Sequence, residues 1–349
     1  MRVFYLANHV PWFGAHTGYE RLPHHLASTG FASRILTPGS GLLARATGKA
    51  VSLLRGHGSI SQTNASARLR LELNLLARRD AIGHLLYGED HLPFWQDSPR
   101  GLRNRTLITF HQPPAQWTAE KARALAACPH ALTLWQRDMD WFRSQLQGGT
   151  VHFIPHGVDT EFFTPLPASA EQKTPIRLLY VGVHLRNTAM LGRIIGQLSR
   201  QRDDLHFDLL VPASRREEPG LAGLRHHPRV TWHSNTTDEQ LRDLYRQASL
   251  LLLPMNDSGA NTAIVEALSC GLPVVTTDVG GIRDYGGGTV FPVVENNNDE
   301  AMLALIDRHL AQPAWRDQIA RDSRAFAESH LAWPLIAGRH ADLYRKLGA

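Results

Sequence analysis

Twelve short apolar runs punctuate this 349-residue chain, and most of them do not alternate with polar residues. Runs such as ITF, RLLYVG, LLLLP and PVVTT are rich in Val, Ile, Leu and Phe throughout. A strand with one wet face alternates; a strand apolar on both sides must be covered on both sides. The runs predict strands at residues 2–8, 33–37, 81–87, 106–110, 131–135 and 151–154, then at 176–182, 206–211, 230–233, 249–255, 273–277 and 289–294. Helical patterns fill the intervals. Buried strands alternating with helices imply right-handed crossovers and doubly wound α/β sheets.

The alternation breaks once. Residues 155–175, PHGVDTEFFTPLPASAEQKTP, hold four prolines and carry neither a helical nor a strand period. That is linker composition, and the length suits two domains of about 150 residues each. The expected organisation is a Rossmann-like domain over 1–160, a linker over 161–175, a second Rossmann-like domain over 176–330 and a C-terminal helix over 331–349. In that helix Leu335, Ile336, Arg339, Leu343 and Leu347 follow helical spacing.

Composition excludes several classes. Apolar residues are 43% and charged residues 20%, which suits a globular chain and not a disordered one. A formal charge of +5 is too weak to argue for nucleic acid, and none is expected as a partner. It does suit anionic ligands such as nucleotide diphosphates. Cys128 and Cys270 have no metal or redox spacing, so a reducing compartment is expected. The first apolar run stops at Pro11 with no cleavage-site pattern, and no run has the length of a membrane span. The expected location is therefore the cytoplasm, with peripheral contact at the inner membrane face as an allowed partner. That contact is motivated by residues 41–55, where Leu43, Ala46, Ala50 and Leu54 share one face and Arg45, Lys49 and Ser52 lie opposite. Such a helix either packs its apolar side on the sheet, the favoured reading, or lies on an anionic membrane. Gly39-Ser40-Gly41 lacks the acid that a dinucleotide fingerprint needs, and Gly48-Lys49 lacks a P-loop's spacing. Asp138 and Asp140 fall in a helical pattern and read as surface charge. No His-Glu-x-x-His or cysteine cluster marks a metal site, and neither metal nor cofactor is expected.

Residues 249–285, SLLLLPMNDSGANTAIVEALSCGLPVVTTDVGGIRDY, concentrate the chemistry. They read as a buried strand, a polar loop, a helix over about 261–270, a stop at Gly271, another strand and a turn at Gly280-Gly281. The loop Ser258, Gly259, Ala260, Asn261 and Thr262 lies where a strand ends and a helix begins, and its N–H groups can meet a diphosphate. Glu266, one turn into the helix, can accept hydrogen bonds from two vicinal ribose hydroxyls. The stretch 266–281 resembles the nucleotide-binding segment of retaining GT-B glycosyltransferases, in particular glycosyltransferase family 4. In the same order, FIPHGVDTEFFTP at 153–165 resembles the family's hinge and RLLYVG at 177–182 its first donor-domain strand. Residues 230–254 resemble the stretch that reaches the nucleobase, TFHQPP at 109–114 the strand end where a His faces the donor sugar, and Trp333–Tyr344 the closing helix.

The resemblance implies two doubly wound domains facing a cleft and metal-independent transfer of a sugar, with retention, from a nucleotide-diphosphate sugar used as co-substrate. The acceptor would be a glycan or lipid-linked molecule of the bacterial envelope. It assigns Glu266 to ribose, Arg186 with His184 to the diphosphate, Ser234, Asn235 and Thr236 to the base, and His111 to the sugar. His16, Thr17 and Gly18 after the first strand, and Glu89 and Asp90 after the third, fall on the acceptor side. Two departures stand out. Ser258 occupies the place of the family's first glutamate, with Asp257 beside it, and the first loop lacks a Gly-Gly pair. A sugar-nucleotide epimerase on the same fold and a non-catalytic nucleotide-sugar sensor are the rival readings.

Overall fold

A computed structural model describes residues 1–8, 14–39, 41–54, 62–166 and 175–348. The chain forms two compact units. The first comprises Met1–Pro11, Tyr19–Pro155 and Trp333–Ala349; the second comprises Trp12–Gly18 and His156–Ala332.

The first unit holds one parallel sheet built from β1 (Arg2–Leu6), β2 (Ala32–Leu36), β3 (Ala81–Leu85), β4 (Thr106–Phe110), β5 (His130–Thr133) and β6 (Thr150–Phe153). Its order is β2-β1-β3-β4-β5-β6. β1, β3 and β4 are buried along almost their whole length, as unbroken apolar runs require. The second unit holds β7 (Ile176–Val181), β8 (Leu205–Leu210), β9 (Val230–His233), β10 (Leu250–Leu253), β11 (Val274–Thr277) and β12 (Val293–Val294), in the order β12-β11-β10-β7-β8-β9. Every pairing in both sheets is parallel. Strand order reverses between β1 and β3 in one sheet and between β7 and β10 in the other. Ligands of doubly wound sheets bind beyond the strand ends at such a reversal. The segments that leave β7 and β10 carry Arg186 and Ser258–Thr262, and the segment that leaves β3 carries Glu89 and Asp90.

All twelve expected strands form, several of them shorter than expected. The last shrinks most, to Val293–Val294, because Gly286 and Gly288, both at positive φ, turn the chain just before it. The expected linker does not begin where the second unit does. Val158 donates its N–H to the Leu331 carbonyl, and Phe163 is fully buried in the second core. The expected packing of residues 41–55 on the sheet is also corrected. The helix Leu42–Leu54 lies against the helix Gln62–Ala77, with Gly48 buried and the Thr47 hydroxyl 3.4 Å from that of Ser66. Ala46 and Ala50, expected on the packed face, are exposed. The side chains of Leu43, Ser52 and Leu54 lie outside the described residues.

The helix Trp333–Gly348 buries Trp333, Ile336, Ala337, His340, Ala341, Leu343 and Tyr344, and leaves Leu335 exposed. His340 and Tyr344 join a buried polar chain. His340 Nδ1–H donates to the Ile336 carbonyl at 2.8 Å, so Nε2 accepts from the Tyr19 hydroxyl at 2.9 Å. Tyr19 lies 3.4 Å from the Thr109 hydroxyl, which lies 2.6 Å from His84 Nε2. His84 Nδ1 meets the Tyr344 hydroxyl at 2.6 Å, and Tyr344 meets Tyr5 at 3.1 Å. The buried polar atoms of these six side chains thus satisfy one another.

This arrangement predicts acid lability. Burial lowers His340 and His91 to about 4 and holds His84 well below the usual range. An unfolded histidine titrates near 6.5. The unfolded chain therefore binds the extra protons, and this stability is full above about pH 6.5 and lost as pH falls toward 4. For His91 and His340 it amounts to about 3 kcal/mol each. Buried Glu89 and Glu266, each raised to about 7, act in the opposite sense, their share full below about pH 4.5 and lost as pH rises through 7. Four buried histidines, His309 at about 4 being the fourth, outweigh the two glutamates, so the urea midpoint should fall between pH 7 and pH 4.5. A midpoint that holds or rises contradicts this balance.

Candidate functional site

At the strand reversal of the second unit, two loops fix each other. β7 ends at Val181, and Gly182, at φ +80, turns the chain. Asn187 N–H donates to the Pro254 carbonyl and Asn256 N–H to the Leu185 carbonyl, both at 2.9 Å. Arg186 between them pairs with Met255 in an antiparallel bridge. Its guanidinium is held in three directions. Nε donates to the Val181 carbonyl at 3.1 Å, Nη1 to the His184 carbonyl at 3.0 Å and Nη2 to Asn261 Oδ1 at 3.4 Å. All three acceptors are neutral. Among the described residues no carboxylate lies within ion-pair distance of Arg186, and burial lowers its pKa. A fixed cation with no counter-ion is matched to an anion.

Asn261, Arg186's third partner, caps the helix Thr262–Ser269, its side chain accepting from the Ile264 N–H. The first N–H groups of a helix have no intrahelical acceptor, so the cation and the helix start favour negative charge together. The preceding loop is set by Ser258, which is buried. Its N–H donates to Asp257 Oδ1 at 2.8 Å and its hydroxyl to the Gly259 carbonyl at 3.1 Å. Its own carbonyl accepts from the Gly281 N–H at 2.7 Å. Ser258 is thus spent on loop shape, and Asp257 on the loop's own backbone. His184 is exposed and offers its carbonyl to Arg186.

Glu266 is 4% exposed. Tyr245 donates its hydroxyl to Oε2 at 2.9 Å, and Thr17 donates its hydroxyl to Oε1. Burial, with a smaller contribution from Asp238, raises its pKa to about 7 against those two hydrogen bonds. His16 and Thr17, expected on the acceptor side, pack with the second unit. His16 N–H donates to Asp238 Oδ2 at 2.9 Å, its Nδ1 lies 2.7 Å from Asp159 Oδ2, and its ring stacks on Phe162 at 3.8 Å. Gly18 follows at φ +87. Ser234 and Thr236 line a cavity of about 500 Å³ with Trp232, His233, Gln240 and Leu244, while Asn235 turns the chain at φ 53.

In the first unit, the ends of β3 and β4 bring His111 and Glu89 together. Glu89 Oε1 accepts from the backbone N–H of His111 and, at 2.6 Å, of Gln112. The His111 ring stacks on Tyr87 at 4.8 Å and meets the edge of Tyr19 at 5.1 Å. Its Nε2–H donates to the Leu86 carbonyl at 2.7 Å, and burial holds the ring neutral, which leaves Nδ1 as an acceptor. Tyr87 donates to Glu20 Oε1 at 2.6 Å, and Asn8 to Asp90 Oδ2 at 2.6 Å. Sequence reasoning missed Tyr245 and Glu20. The signal for Tyr245 was its place beside Leu241 and Leu244 in the otherwise polar helix Asp238–Gln247. Glu20 had no signal beyond following the first loop. No group of three His, Cys, Asp or Glu that could hold a metal occurs among the described residues, and no helix among them is long and apolar enough to cross a membrane.

Residues 175–312 match the family model described as Glycosyl transferases group 1. The chain is 29% identical over 224 residues to the D-inositol 3-phosphate glycosyltransferase of Nocardiopsis dassonvillei, covering 56% of this chain and 50% of that one. It is 24% identical over 256 residues to the alpha-maltose-1-phosphate synthase of Mycobacterium tuberculosis, covering 65% and 64%. The chain spans about half the length of the first curated relatives it matches. Among solved structures, sucrose-phosphate synthase from Thermosynechococcus elongatus superposes with a TM-score of 0.75 at 18% identity, covering 99% of this chain and 98% of that one. HepE from Anabaena, solved with UDP-glucose, gives 0.74 at 14% identity, covering 99% and 100%. These structures share the GT-B fold of two doubly wound domains.

Proposed function

We propose that this chain, whose residues 175–312 belong to the glycosyl transferases group 1, moves a sugar from a nucleoside-diphosphate sugar to an acceptor hydroxyl with retention of configuration. One observation carries the reading. At the strand reversal of the second sheet, Arg186 stands with no carboxylate partner among the described residues, at the start of a helix that bears Glu266 one turn in. A cation and a helix start suit a diphosphate, and a carboxylate one turn away suits a ribose diol.

In this reading the backbone of Gly259–Thr262 and Arg186 hold the phosphates, with His184 beside them. Ser234–Thr236 meet the base, and His111 offers Nδ1 to a sugar hydroxyl. Glu89 and Asp90 lie on the acceptor side, Glu89 by holding the loop that bears His111. The bond between the anomeric carbon and the phosphate oxygen breaks, and its electron pair stays on the leaving diphosphate. The acceptor oxygen bonds to the anomeric carbon and passes its proton to the leaving phosphate. Arg186 and the helix start stabilise the charge that develops there. No metal enters this scheme.

The acceptor we propose is a glycan or lipid-linked molecule of the bacterial envelope, made at the cytoplasmic face of the inner membrane. Exposed Leu42 beside exposed Arg45 and Lys49 supports a peripheral contact there. Product analysis tests the activity. The chain is incubated with nucleotide sugars, with and without an envelope extract. Nucleoside diphosphate released only with the extract supports transfer. An isomerised donor would identify an epimerase, and an unchanged donor a sensor.

A further inference from the structure

We infer that the loop around Thr17 is a self-ligand of Glu266: the Thr17 hydroxyl takes the place of a ribose hydroxyl, and nucleotide and loop compete for one carboxylate. This rests on the reading of Glu266 as the ribose carboxylate. Two hydroxyl donors meet Glu266, one on each oxygen, Thr17 on Oε1 and Tyr245 on Oε2. That is the pattern a vicinal diol makes on a carboxylate. Among the described residues no cation forms an ion pair with Glu266, so hydroxyl can exchange for hydroxyl without separating charges.

The two donors differ in what holds them. Tyr245 belongs to the helix Asp238–Gln247, is fully buried, and stays when the loop leaves. Thr17 belongs to a loop pinned from outside the carboxylate. The His16 N–H is on Asp238, and the His16 ring is on Asp159 and Phe162. Gly14 lies so close to Asp238 that a Cβ there would fall 1.8 Å from Oδ1. With the loop in place Glu266 is 4% exposed and Thr17 9% exposed. A ribose therefore reaches the carboxylate only as Thr17 leaves it. The elevated pKa of Glu266, about 7, agrees with a carboxylate that its two hydroxyl partners stabilise incompletely.

The competition makes Thr17 and His16 negative determinants of nucleotide affinity. Calorimetric titration of the full chain with UDP, GDP, ADP and dTDP tests this on wild type, Thr17→Val, His16→Ala and Glu266→Gln. Thr17→Val keeps the shape and removes the hydroxyl. His16→Ala removes two pins and leaves Thr17 and Glu266 in place. The diphosphate that wild type binds should bind both loop variants roughly tenfold tighter, equivalent to ~1.4 kcal/mol. Exchange of the His16 amide in wild type should speed up on addition of that nucleotide. Unchanged or weaker binding by both loop variants, with binding still dependent on Glu266, overturns the competition and leaves the ribose reading standing. Binding by Glu266→Gln equal to wild type, or no binding by wild type or either loop variant, overturns both. Slower exchange of the His16 amide with nucleotide bound would make the loop part of the bound site and overturn the competition alone.

Discussion

Arg186→Ala should lower the rate of sugar transfer by about 10²–10³, or ~2.7–4 kcal/mol of transition-state stabilisation. The expectation follows from where the guanidinium is held. Three neutral acceptors from three points of the chain, Val181, His184 and Asn261, fix its plane. Charge on a departing diphosphate grows as the glycosidic bond breaks, so a preset cation helps most in the transition state. Arg186→Lys should recover little of the loss, because an ammonium group cannot satisfy that fork. The loss should fall mainly on kcat, with the melting temperature close to wild type. A variant with unchanged kcat removes Arg186 from the chemistry.

Gly280→Ala should cost the fold and the donor site together. Gly280 sits at φ +50, and a Cβ there would lie 1.9 Å from the Ser258 carbonyl oxygen and 2.6 Å from its nitrogen. Both are backbone atoms, so no rotamer change relieves the overlap. The same carbonyl accepts the Gly281 N–H at 2.7 Å, and Ser258 opens the loop that leads to the helix bearing Glu266. The left-handed backbone costs about 1–2 kcal/mol for a residue with a Cβ, and overpacking about 1–3 kcal/mol more. A fall in melting temperature on the order of 10 °C is expected, with loss of nucleotide binding as Ser258–Thr262 is pushed aside. Gly223→Ala is the control, since nothing lies within 4 Å of a Cβ there; it should melt as wild type does. A Gly280→Ala protein within about 1 °C of wild type contradicts the packing argument.

The strands were legible because a parallel strand covered on both sides writes itself as a bare apolar run, as LLLL at 250–253 does. Ser258–Thr262 stood out for a related reason, since it directly follows such a run, and Arg186 through the resemblance of 177–182 to the family's first donor-domain strand. The order of the strands was not, because both sheets draw on the same apolar alphabet and differ only in which neighbour pairs with β1 or β7. Long-range contacts were illegible too. Thr17 meets Glu266 from 249 positions away, and no local pattern marks a threonine for that task. Helix faces failed where packing overrode spacing. Leu335 fits the apolar stripe yet is 43% exposed, while His340 is buried because Tyr19 and the Ile336 carbonyl satisfy its ring.

The central claim is that Glu266 and the helix start beside Arg186 hold a nucleoside diphosphate. Melting temperatures of wild type and Glu266→Ala, alone and with UDP, GDP, ADP and dTDP, test it most directly. At about 100 times its dissociation constant a ligand adds roughly 2.7 kcal/mol to the folded state. The prediction is that one diphosphate raises the wild-type melting temperature and leaves that of Glu266→Ala where it was. No shift in wild type at millimolar nucleotide, or an equal shift in both proteins, would contradict it.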